Sequence, residues 1–145
     1  MSEAAALAAA LIVGPINLEY RVLHSAGTLP ASQQPFADCV AKRESGGRPN
    51  ARNPTSSAQG KYQWLDRSWR HGLAHMTAWR LKGHGLSHAE ALALRQWLRD
   101  REIAKWPEAL QDVAFAASLN ARGPWSGWRH WYAAGSTCNT LVGNS

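Results

Sequence analysis

Residues 35–63 read PFADCVAKRESGGRPNARNPTSSAQGKYQ. Pro35 suits the first turn of a helix, where its missing N–H costs nothing. Phe36, Cys39 and Val40 then fall on one side at helical spacing. Ser45-Gly46-Gly47 stops the helix, because glycine readily takes the left-handed conformation just past a helix end. Residues 48–59 are polar, turn-rich and poor in helix formers, which predicts a long loop or a small hairpin. Glu44 therefore stands in the last turn of a helix, with a polar loop immediately after it. Against apolar and aromatic walls its carboxyl would be raised in pKa and able to donate a proton. Beside Lys42 and Arg43 alone it would be a solvated side chain, which is what composition by itself favours.

Working outward, helical patterns resume over about 65–82, about 87–104 and about 107–120. Ser87 is the candidate N-cap of the second, and Pro107 stands at the first position of the third. Few β-branched stretches compete, so the expected class is mainly α. Toward the N-terminus, residues 26–35 have linker composition, which puts the start of the folded domain near Gln34. The expected division is an apolar extension and linker over 1–33 and a domain over 34–145. Residues 4–13 are apolar but follow Glu3, and no Lys or Arg precedes Arg21, the reverse of a secretion signal. The run is too short to span a membrane. It reads as an amphipathic or buried helix, a docking segment, or the remnant of a larger polypeptide.

A chain of 145 residues can bury one core and leaves little room for a second. Its net charge of +6 suits a polyanionic partner: nucleic acid, anionic lipid, or an envelope carrying phosphate polymers. Tryptophan is in excess, with eight against two Phe and three Tyr. Indole needs a partner for its N–H when buried, so some of these rings are expected to line a groove and about half to pack the core. Cys39 and Cys138 lie near the two ends of the folded part. In a cytosolic protein two free thiols would be the plain reading, and no secretion signal is evident, but pairing is the favoured one.

The run from Glu44 to Gln63 resembles the lytic transglycosylase signature, in which E-S-G-G opens the site and a G-x-x-Q segment follows after a loop. It is most similar to the actinobacterial transglycosylase-like, or resuscitation-promoting-factor, branch. There a cysteine shortly before the Glu pairs with one near the domain end, an arrangement that Cys39 and Cys138 match. Ser118-Leu119-Asn120-Ala121-Arg122-Gly123 resembles the late A-Y-N-A-G segment of soluble lytic transglycosylases. The resemblance covers about residues 36–138. It implies a lysozyme-like α+β or mainly α domain, two-lobed, with a glycan-binding cleft. It also implies Glu44 as the catalytic acid and base, Ser45 orienting the substrate or Glu44, and a Cys39–Cys138 disulfide. Gln59, Tyr62, Gln63, Trp64 and Asn120 become candidate sugar contacts, while Trp125, Trp128 and Trp131 read equally as an opposite wall or as a plug between the lobes. The chain departs from the pattern at Lys61-Tyr62, where the family often has Leu-Met, and at Leu119, where it has Tyr. Tyr62 is the candidate substitute for that Tyr's hydrogen bond to the Glu.

Glycosidases ordinarily need two carboxylates, about 5–5.5 Å apart when retaining and about 6.5–9.5 Å apart when inverting. After Glu44 no acid occurs before Asp66, which helix N-terminal placement already explains. One carboxylate suffices if the substrate assists. The expected reaction is cleavage of the bond between N-acetylmuramic acid and N-acetylglucosamine with closure of a 1,6-anhydro ring, without water. A hydrolytic muramidase with Asp66 as partner is the alternative. Another class is a non-catalytic module that binds cell wall, or nucleic acid through Trp interleaved with Arg. No nucleic-acid recognition motif accompanies those pairs. His71 with His75 and His84 with His88 have zinc-compatible spacing, but the surroundings favour surface or capping roles. No cofactor or metal is expected. The expected partner is peptidoglycan, with no specific nucleic acid and no membrane span. With no clear leader, export by another route is expected, such as a phage virion or lysis protein docked through the N-terminal segment.

Overall fold

The computed structural model describes residues 10–121 and Cys138. Two strands, β1 (Ala10–Val13) and β2 (Ile16–Glu19), form an antiparallel hairpin with Val13 opposite Ile16 and Ala10 opposite Glu19. Gly14 turns the hairpin at φ +56°, and a Cβ there would lie 2.9 Å from Trp97 Cδ1. Only glycine serves both the conformation and the close approach. Along β2, Ile16 and Leu18 are buried while Asn17 and Glu19 face water, the period of a half-buried strand. The chain runs on into helix α1 (Tyr20–Gly27), which buries Leu23 and Ala26.

Helix α2 (Gln34–Ser45) carries Pro35 in its first turn and ends on Gly46 at φ +66°. The N–H of Gly46 donates to Lys42 O and that of Gly47 to Ala41 O, each at 3.0 Å, satisfying carbonyls the helix would leave open. The following loop is pinned by a bridge between Arg52 and Gln59. A second antiparallel pair, β3 (Ala58–Gln59) and β4 (Trp64–Leu65), closes around Gly60–Gln63.

Three further helices complete the described fold: α3 (Asp66–Gly83), α4 (His88–Arg99) and α5 (Glu108–Leu119), with a 3₁₀ turn at Ile103–Lys105 before α5. Ser87 caps α4 in a reciprocal box with Glu90, as the sequence predicts. The helix expected to continue to residue 104 stops at Arg99. The reason is tertiary: Trp106 Nε1 donates to Leu98 O and Arg101 O, and Ile103 N donates to Asp66 Oδ1 at 2.9 Å. Those bonds fold the segment back onto the body of the protein. Pro107 precedes α5 as its cap residue instead of occupying its first turn.

The result is mainly helical with two small antiparallel sheets, consistent with an α+β lysozyme-like domain. Its core joins Leu73, Leu81, Leu94, Leu98, Leu110 and Phe115 to residues far upstream. Val13, Ile16, Leu18 and Leu23 belong to the same cluster and are at most 3% exposed. Burying each contributes about 1.5–3 kcal/mol before entropy is counted. Gln34 does open a helix, but packing starts well before it, and residues 10–13 form a strand, not the helix that is one of the readings of that run. Trp64 and Trp106 are buried in the core, and Trp69, Trp79 and Trp97 pack against it partly exposed. Trp125, Trp128 and Trp131 lie outside the described residues.

Cys39 on α2 is bonded to Cys138, with Cα atoms 5.7 Å apart. The bridge closes a loop of 99 residues. It anchors the helix that carries Glu44. Among the described residues, no helix is long and apolar enough to cross a membrane.

Candidate active site

Glu44 occupies the last turn of α2 and is exposed. Its carboxyl is nevertheless held above the ordinary range, because nearby protein removes part of its water; Arg43 opposes this more weakly. Every other described carboxylate is committed. Asp66 is buried at 3% exposure, gripped by Arg70 at 2.6 Å and by Ile103 N. Glu102 pairs with Arg52, Glu108 and Asp112 with Lys61, and Glu19 with Arg21. Asp38, Glu90 and Asp100 accept from Gln34, Ser87 N and Gln96. Of the described carboxylates, Glu44 alone has no hydrogen-bond or ion-pair partner among the described residues. It is the one described acid whose carboxyl oxygens are not already accepting bonds that hold the fold together.

Next to it, Ser45 is buried and turned inward. Its Oγ lies 2.7 Å from Lys61 O and 3.1 Å from Ala41 O, so its proton fastens the end of α2 to the turn at Gly60–Lys61. That turn is itself held from behind by Gln111, which is fully buried. Lys61 N donates to Gln111 Oε1 at 2.8 Å, while Nε2 is within bonding distance of Pro49 O, Ile103 O and Trp106 O. Gly60 has φ +85°, and a Cβ there would meet Gln111 Oε1 at 2.6 Å. One amide thus locks three segments: the loop after Glu44, the turn that receives Ser45, and the approach to α5. Gln111 carried no motif, but its spacing with Ala114, Phe115 and Ser118 marks a buried helix face.

Tyr62 is nearly buried against Phe115, ring centroids 4.1 Å apart. Its hydroxyl donates to Asp112 at 2.6 Å, not to Glu44, so it does not take the expected place of the missing family Tyr. Burial and then Asp112 push its pKa well up, keeping the phenol neutral. Lys61 completes the group. Burial pulls its ammonium down, yet Asp112 and Glu108 together hold it above the ordinary range.

The remaining predicted contacts are mostly structural. Gln59 is buried and accepts from Ala104 N. Gln63 adopts φ +55°, a conformation a non-glycine residue enters at a cost of about 1–2 kcal/mol. Its amide donates to Gly60 O at 3.0 Å and lies 3.3 Å from Ala51 O, holding the strained turn from within. Trp64 is 0% exposed, edge-on to Tyr62, with no face open to a sugar. Asn120 is exposed at the end of α5 and donates to Ala116 O. The side chains of Gln59, Gln63 and Trp64 are thus buried, and the turn they hold meets the end of α2 at Ser45. Among the described residues no group of His, Cys, Asp and Glu is arranged to hold a metal. His75 stacks on Trp79, His84 contacts Ser25, and His88 contacts Lys82.

A cavity of about 740 Å³ lies along α2, walled by Leu23, Ala37, Asp38, Ala41, Tyr62 and Phe115 among others. Ala37 and Ala41 lie on the stripe of α2 that comes round to Glu44 three residues later. Glu44 lies one turn beyond Ala41 on the same helix and is not itself among the residues that line the cavity.

No family model matches the chain, and no solved structure matches it. Over 95 residues it is 34% identical to the protein named "Probable transglycosylase SceD" of Staphylococcus epidermidis and 35% identical to its namesake in Staphylococcus aureus strain Newman. The match covers 66% of this chain but only 32% and 30% of those relatives, so the chain spans about a third of their length. The similarity supports a transglycosylase-like family for the matched part of the chain.

Proposed function

We propose that the chain cleaves the glycan strands of peptidoglycan as a lytic transglycosylase, with Glu44 as its single acid and base. The observation that carries this is Glu44 itself: a carboxyl with raised pKa and no hydrogen-bond or ion-pair partner among the described residues, while every other described acid is engaged. The lytic transglycosylase motifs and the similarity to proteins named as probable transglycosylases support it.

In this reading the protonated Glu44 donates to the glycosidic oxygen between N-acetylmuramic acid and N-acetylglucosamine. The bond from C1 to that oxygen breaks, and the glucosamine leaves as an alcohol bearing the proton. The muramic acetamido oxygen shares the developing charge at C1. The Glu44 carboxylate then takes the proton of the muramic 6-hydroxyl, whose oxygen closes on C1 as a 1,6-anhydro ring. Glu44 ends protonated as it began, and no water is consumed. Ser45 acts through position, tying the end of α2 to the turn at Lys61. The cavity along the Ala37–Ala41 side of α2 receives part of the glycan. A raised pKa matches the acid's first task, since an ordinary Glu would be almost wholly ionised at neutral pH.

The direct test is release of soluble fragments from purified peptidoglycan by the wild type, Glu44→Gln and Asp66→Asn. Glu44→Gln should lose release by a factor of at least about 10³, in the range of removed acid–base groups. Asp66→Asn, normalised to the folded fraction, should retain it. Equal loss in both variants would replace the single-acid reading with a two-carboxylate one.

A further inference from the structure

Away from Glu44, the outer seam of α3 and α4 gathers His75, Trp79, Lys82, His88, Arg95 and Arg99. His75 stacks on the Trp79 ring at 4.5 Å between centroids, and His88 meets its edge at 5.8 Å. Lys82 Nζ and Arg95 Cζ each lie 5.4 Å from the same centroid. Lys82 also donates to His88 Nδ1 at 3.0 Å. Burial, then the charges of Arg95 and Arg99, push the His75 imidazole down, which places both guanidinium groups within electrostatic reach of it.

The cations are concentrated without neutralisation. Among the described residues no carboxylate pairs with Lys82, Arg95 or Arg99. The Nε atoms of Arg95 and Arg99 are buried and make no hydrogen bond there. The two acids nearest on α4 are engaged elsewhere, Glu90 in the cap with Ser87 and Asp100 with Gln96. Three permanent positive charges held this close repel one another, and an anion laid along the seam would relieve the repulsion.

We infer that this seam binds a linear phosphate polymer without bases, of the polyol-phosphate kind carried by bacterial envelopes. The absence of bases follows from Trp79. Its ring is engaged by His75, Lys82, Arg95 and His88, leaving no open face on which a nucleobase could stack, and stacking is what single-stranded nucleic-acid sites rely on. Charge is offered at regular helical spacing with no base-reading platform. This surface is separate from Glu44, and its binding does not depend on glycan cleavage.

The test is fluorescence anisotropy of a labelled glycerol-phosphate oligomer titrated with the full chain, across a salt series. An oligothymidylate with the same number of phosphates is the comparison ligand. The wild type should bind the glycerol-phosphate oligomer at least as tightly as the oligothymidylate. Lys82→Ala/Arg95→Gln should weaken binding at least about tenfold and reduce the log–log salt slope by about 1.4, near 0.7 per lost contact. Lys82→Ala alone alters one exposed side chain and should give about half that change in slope, so a folding defect in the double variant would not hide the answer. Arg21→Ala/Lys105→Ala removes the same charge elsewhere and should leave binding within about twofold. Cleavage of glycan strands stripped of phosphate polymer should be unchanged in Lys82→Ala/Arg95→Gln. Binding unaffected by the seam variants, no binding by the wild type at low salt, or clearly tighter binding of oligothymidylate would each overturn the proposal.

Discussion

The hydroxyl of Ser45 lies 2.7 Å from the carbonyl oxygen of Lys61, across sixteen residues of chain. This bond joins the end of α2 to a turn held from the other side by Gln111. Glu44 is the residue immediately before the junction. Its place at the loop edge is therefore set by buried hydrogen bonds and not by its own contacts.

Ser45→Ala should destabilise the protein by about 1–3 kcal/mol, the cost of leaving a buried carbonyl without its donor. Chemical denaturation would measure it. At temperatures where the variant stays folded, glycan cleavage should fall mainly in kcat, since the change displaces the acid without removing a sugar contact.

Gln111→Leu should be the more damaging change. The side chain is fully buried, and its removal takes the partner from Lys61 N and a donor from the carbonyls of Pro49, Ile103 and Trp106, of which Ile103 O keeps Trp106 N. A loss of about 3–5 kcal/mol is expected, in the tail reserved for broken buried networks. Gly60→Ala should destabilise in the same direction, by at least about 1 kcal/mol from its positive φ alone. The two substitutions should be non-additive in a double-mutant cycle, because the missing Oε1 relieves the new methyl's clash.

The pKa of Glu44 makes a prediction about stability as well as activity. Its folded value lies above its unfolded value, so the folded state binds the proton more tightly. That contribution is present at low pH and is lost as pH rises from the unfolded pKa through the folded one. Glu44→Gln should lack this step. Denaturation midpoints compared at intervals across the mildly acidic range should show the variant gaining on the wild type as pH increases. The alkaline fall of glycan cleavage should follow the same ionisation. Identical pH profiles for the two proteins would rule out a desolvated carboxyl with raised pKa at this position.

Reducing the Cys39–Cys138 bridge should cost up to about 4–5 kcal/mol, the chain-entropy expectation for a loop near a hundred residues. Cys138→Ser, compared with the oxidised parent by thermal denaturation, would show it. A change below about 1 kcal/mol would mean that residues near the bridge stay associated when the chain unfolds.

Much of this architecture was legible in the sequence, and the exceptions have physical causes. Pro35 and Gly46 bracket α2, and Ser87 caps α4, because capping chemistry is local. Ala10–Val13 was not legible as a strand: a short apolar run fits a helix or a strand equally until the Gly14-Pro15 turn finds its partner strand. The end of α4 was hidden because Asp66 and Trp106, distant in the chain or beyond its end, take over the following backbone. In the candidate site, the place of Glu44 in the last turn of α2 was legible from the Gly46 stop. The roles of Gln63 and Trp64 were not, since a motif fixes which residue is present and not which way it faces. Gln111 could have been found from its apolar stripe, had a polar residue there been read as a buried tie. The proposed contacts at Trp125, Trp128 and Trp131 fall outside the described residues.

The most direct test of the central claim is the mass of the glycan ends produced from purified peptidoglycan. The account predicts fragments ending in 1,6-anhydromuramic acid with the wild type and none with Glu44→Gln. Reducing ends that carry one added water, or unchanged release by Glu44→Gln, would contradict it.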